Sequence, residues 1–68
     1  MEWREVSREK FWSIIGPMEN ITGEIIGNYP YTSIYKTLRG EERGKIEDYY
    51  PEGKALTSKR YWLPGSLS

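Results

Sequence analysis

Side chains able to do chemistry are few in this chain, and the types that most often do it are missing. There is no cysteine and no histidine, which removes thiolate nucleophiles, imidazole bases, disulfides and the usual ligands of a structural zinc site. Ser7, Ser13, Ser33 and Ser58 therefore lack a histidine to activate them. A lysine base would need a desolvated site that so thin a domain hardly encloses. Carboxylates remain: Glu41-Glu42 and Glu47-Asp48 are adjacent pairs, and paired carboxylates can share a proton or hold a divalent cation. Neighbours along a strand point to opposite faces, however, which keeps Glu47 and Asp48 apart, while Glu41-Glu42 falls in an expected turn where charge is solvated. The glycines are scattered and form no phosphate-cradling loop ahead of a helix. The expectation is a protein that is not an enzyme and uses no metal or cofactor.

The elements that position these residues begin with a helix. Ser7 can accept a hydrogen bond from a free N–H of the first turn, Glu9 sits at the positive end of the dipole, and Lys10 stands where a capping box would have Glu or Gln. Val6 and Phe11 have the spacing of a hydrophobic staple. Phe11, Ile14 and Ile15 make an i, i+3, i+4 stripe that Trp12 widens, and Gly16-Pro17 ends it. Two turns are unstable alone, so this helix must dock on something else.

The rest of the chain supplies a sheet. Strands are expected near Ile21 to Gly27, Tyr31 to Leu38, Arg43 to Tyr49 and Thr57 to Leu63, punctuated by Gly27-Asn28, Arg39-Gly40 and Pro51-Glu52-Gly53. The first is weak, because Gly23 and Gly27 leave little to pack. Short connections favour an antiparallel meander, with turns at Leu38 to Glu42 and at Tyr50-Pro51-Glu52-Gly53 and a less regular link through Asn28-Tyr29-Pro30. The fold class is α+β: a short amino-terminal helix on a three- to four-stranded antiparallel sheet, one domain over 1–65, with Ser66-Leu67-Ser68 as a frayed tail.

Composition bounds the rest. The chain has 68 residues, ten basic against ten acidic, and three Trp, six Tyr and one Phe, so aromatic packing must supply much of a small core. The even charge argues against a phosphate-binding surface and against an acidic mimic of nucleic acid. No apolar run is long enough to span a membrane and the charged start is unlike a secretory signal, which makes the cytoplasm the expected location.

Alternation sharpens the candidate site. With Ile34, Ile46 and Trp62 taken to face the helix, Tyr31, Tyr35, Lys45, Glu47, Tyr49, Lys59 and Tyr61 share the other face. That face is open to water, covered by the amino-terminal arm through Trp3, or used for binding. Tyrosines suit half-buried strands without any partner. They also anchor protein interfaces, including self-association into a homo-oligomer. Rings flanked by Lys45, Lys59 and Arg60 could alternatively stack the bases of a single strand, against which the interleaved Glu47, Asp48 and Glu52 weigh.

The stretches Glu5-Val6-Ser7-Arg8-Glu9-Lys10-Phe11-Trp12, Ile15-Gly16-Pro17, Tyr29-Pro30-Tyr31-Thr32-Ser33 and Tyr61-Trp62-Leu63-Pro64 resemble short accessory proteins encoded by bacteriophages and prophages. The likeness runs through most of the chain in outline. It implies a protein that binds and blocks or redirects a bacterial host protein, including components of defence systems such as CRISPR effectors. Protein binding thereby moves ahead of nucleic-acid binding, with Tyr31, Tyr35, Tyr49, Arg60 and Tyr61 as the expected anchors.

Overall fold

The computed structural model of the chain describes residues 2–27, 31–49 and 58–68, with Tyr49 by its backbone alone. Strand β1 (Trp3–Val6) leads directly into helix α1 (Arg8–Ile15), followed by β2 (Thr22–Ile26), β3 (Thr32–Lys36), β4 (Glu42–Tyr49) and β5 (Ser58–Pro64). The five strands form one antiparallel sheet in the order β1-β5-β4-β3-β2. β2 to β5 are the expected meander, including the weak first strand. The expected links through Asn28-Tyr29-Pro30 and Tyr50-Pro51-Glu52-Gly53 lie outside the described residues.

The sheet has one strand more than the three or four expected. β1 pairs with β5 from Trp3 opposite Pro64 to Val6 opposite Tyr61. Its two apolar residues, three positions apart, lie on opposite faces of a strand, so no alternation announces it. At the carboxy terminus the chain turns after β5. The Leu67 N–H donates to the Pro64 carbonyl at 2.8 Å, and Leu67 packs against the core.

α1 starts as its residues dictate. Ser7 is extended (φ −70°, ψ 157°) and its Oγ accepts from the Lys10 N–H at 3.1 Å, while Val6 packs against the cluster that holds Phe11. The helix lies across β4 and β5, burying Phe11 and Ile15 against Ile46 and Leu63. Gly44 makes this approach possible. A Cβ at that position would stand 2.8 Å from Phe11 Cε2 and 3.1 Å from Ile15 Cδ1, so β4 presents bare backbone where the helix comes closest.

The register overturns the expected division of the two faces. Ile46 stands opposite Tyr61 and Lys45 opposite Trp62, while Ser33 stands opposite Ile46 and Ile34 opposite Lys45. The helix side therefore carries Ser33, Tyr35, Ile46 and Tyr61, and the far side carries Ile34, Lys45 and Trp62. Each strand alternates as expected, but β3 and β5 are turned over relative to β4. The cause is that both faces of these strands offer apolar residues, Ile34 beside Tyr35 and Trp62 beside Tyr61 and Leu63, so patterning alone does not select a register. A register shift between Tyr35 and Lys36 adds to the mismatch. The turn at Thr37 to Gly40 closes the β3–β4 hairpin with Gly40 at φ 84°, and its N–H reaches the Thr37 carbonyl at 2.9 Å.

Candidate functional site

Eight residues of helix cannot roof a five-stranded sheet, and the uncovered part of the helix side forms a cleft of about 470 Å³. Arg8 and Trp12 come from α1, Ser33 and Tyr35 from β3, Ile46 from β4, and Lys59 and Tyr61 from β5. Arg8 and Trp12 are four positions apart on the helix and so share a face. The alternation of β3 and β5 brings Tyr35 and Tyr61 to the same side.

The rings are held by one another. Phe11, fully buried, meets Trp12 edge-on at 5.0 Å, Tyr35 at 5.8 Å and Tyr61 at 5.5 Å. Trp12 meets Tyr35 edge-on at 5.8 Å. The Phe11–Tyr61 pair is tilted at 55°, while the other three are edge-to-face and add about 0.5–1.5 kcal/mol each beyond area burial, which orders the wall without covering Trp12, 41% of whose surface stays exposed. Gly23 on β2 leaves room for the Tyr35 ring, whose Cε2 lies 3.1 Å from where a Cβ would stand. Neither phenol has a hydrogen-bond partner among the described residues.

Charge at the cleft is uneven. Lys59 Nζ donates to Asp48 Oδ1 at 2.7 Å, and the Tyr31 N–H donates to Asp48 Oδ2 at 3.3 Å. The hydrogen bond from Lys59 holds the Asp48 carboxyl below its ordinary value; desolvation opposes it, and the Tyr31 N–H and the Lys59 charge lower it further. Arg8 has no carboxylate partner among the described residues. It also opens the helix, at the end of the dipole where a cation is disfavoured.

The residues expected to act together are divided. Tyr35 and Tyr61 meet in the cleft. Tyr31, 44% exposed, stands just before β3 and is tied through its backbone to Asp48. Arg60 lies on the far side, opposite Glu47 and 4.0 Å from Glu5 Oε2. Tyr49 ends β4 opposite Ser58, and its ring lies outside the described residues. Arg8 and Trp12, absent from the expected set, complete the cleft. Their i, i+4 spacing beside the Phe11 stripe was the available signal.

The far side is partly closed by its own residues. Lys45 Nζ sits 5.0 Å from the Trp3 ring centroid and 5.3 Å from that of Trp62, so β1 does bring Trp3 over this face, with the lysine shared between two indoles. Trp62 Nε1 is buried there without an acceptor among the described residues. Among the described residues no three acidic side chains converge to hold a metal ion, and no helix is long and apolar enough to cross a membrane. Comparison with protein-family models, with curated proteins and with solved structures finds no match to this chain.

Proposed function

We propose that this chain is a non-enzymatic accessory protein of the phage type that binds and modulates a bacterial host protein, and that the cleft beside α1 is where the partner docks. One observation carries the reading: exposed Trp12 and half-buried Tyr35 and Tyr61 form an ordered aromatic wall with Arg8 at its rim. Tryptophan, tyrosine and arginine dominate binding hot spots, because large rings bury area with few rotors to freeze. The phage context rests on the sequence resemblance; the docking site rests on the cleft. The test is capture from bacterial lysate by the full chain and by Trp12→Ala, whose fold is checked by circular dichroism. Capture of the same protein by the native chain and its loss in Trp12→Ala is the expected result. No captured partner, or equal capture by the folded variant, refutes the assignment.

The same rings and cations favour a second reading, a single-stranded nucleic-acid module with bases stacked on Trp12 and Tyr61. The Asp48 carboxylate on Lys59 counts against it, since it cancels one of the charges that phosphate would need. Binding to an oligonucleotide that weakens steeply with salt would favour this reading over the first.

A further inference from the structure

The cleft's chemistry says what kind of segment fits it. Its floor is formed by Ile46 and the rings of Tyr35 and Tyr61, its lining as a whole exposes more polar than apolar surface, and its charged groups are Arg8 and Lys59. Lys59 is matched by Asp48 at 2.7 Å. Arg8 is unmatched among the described residues, although the pairs Arg4–Glu2, Lys36–Glu24 and Arg43–Glu41 show that other cations of this chain find a carboxylate nearby. Among the described lining residues and their partners, the charge of Arg8 is therefore the one left unbalanced, and the positive end of α1 lies beside it and adds to the same potential. A cavity of about 470 Å³ accommodates a few side chains of a partner, which makes the contact a short segment.

We infer that the occupant is an acidic peptide segment of a partner protein, with an apolar side chain over Ile46 and an adjacent carboxylate accepting from the Arg8 guanidinium. This rests on the reading of the cleft as a protein-docking site. Charge complementarity selects the acidic segment over a neutral or basic one. A basic segment would meet Arg8 with like charge, and a neutral one would leave the guanidinium without its strongest acceptor.

The experiment is a titration of the isotope-labelled full chain, followed by NMR, with the blocked peptides acetyl-Glu-Leu-Glu-amide, acetyl-Gln-Leu-Gln-amide and acetyl-Lys-Leu-Lys-amide at millimolar concentration. The glutamate peptide should shift the Trp12 indole and the Ser33 and Tyr61 amides and bind about fivefold more tightly than the glutamine peptide, as one exposed ion pair allows. The lysine peptide should bind more weakly than either. Arg8→Gln should erase the preference while leaving the Trp12 response to the glutamine peptide. Equal binding of the glutamate and glutamine peptides, a preference for the lysine peptide, or a preference that survives Arg8→Gln overturns the acidic occupant and leaves the docking site standing. Shifts confined to residues outside the cleft, or none with any peptide, overturn both. So does an oligothymidine that shifts the same residues and binds more tightly than the glutamate peptide.

Discussion

Replacing Gly44 by alanine puts the packing of α1 on β4 to a direct test. The added methyl would stand 2.8 Å from Phe11 Cε2 and 2.9 Å from Cζ, well inside van der Waals contact. Phe11 has no solvent-facing escape: it is fully buried and wedged between Trp12, Tyr35 and Tyr61. Helix and strand must separate or the ring must leave its rotamer, and overpacking of this kind costs about 1–3 kcal/mol. Loss of glycine's freedom in the unfolded chain returns about 0.4–1 kcal/mol, leaving a net destabilisation of about 1–2 kcal/mol. A domain of this length holds only about 3–10 kcal/mol in total. At about 4–8 °C per kcal/mol, the thermal midpoint should fall by about 5–15 °C, read by circular dichroism with urea unfolding as a second measure. Phe11→Leu in the same chain should relieve part of the clash, giving a favourable coupling of at least about 0.5 kcal/mol in a double-mutant cycle. A Gly44→Ala variant as stable as the native chain, or strict additivity with Phe11→Leu, would show that the helix does not sit on Gly44 as described.

Two further outcomes follow from local chemistry. Ser7→Ala removes the acceptor for the Lys10 N–H and should lower stability by about 1 kcal/mol in urea unfolding, whereas Ser7→Asp, which keeps an acceptor, should not; equal loss in both variants would refute the cap. Asp48 has its folded-state carboxyl lowered, first by the Lys59 hydrogen bond, so its contribution is present above the unfolded value of about 3.9 and is lost as pH falls through the lower folded value. Asp48→Asn should therefore flatten the acid limb of the stability profile between about pH 5 and about pH 2, and parallel profiles for the two proteins would contradict the pairing.

The start of α1 was legible in the sequence because every determinant is local. Ser7, Val6 and Phe11 lie within five positions of one another, and their distances are set by helix geometry itself. The meander was legible for a related reason, since Gly40 and its neighbours specify a tight reversal wherever the hairpin lies. Strand parity was equally plain within each strand. The candidate site was legible only in part: Tyr35 and Tyr61 do meet, but on the side of the helix, joined by Arg8 and Trp12 and parted from Arg60.

What patterning left undecided was how one strand's parity meets the next. Ile34 and Tyr35, or Tyr61 and Trp62, are both acceptable to a core, so neither face of β3 or β5 was marked as the inner one. That choice belongs to contacts far apart in the chain. Phe11 needs the bare backbone of Gly44 and rings on either side, which draws Tyr35 and Tyr61 beneath the helix, while Trp3 and Trp62 enclose Lys45 on the other face. Strand β1 belongs to the same class, because four residues with apolar side chains on both faces become a strand only where β5 offers its edge. The short helix then leaves the aromatic cleft open, and its place follows from packing that no local pattern contains.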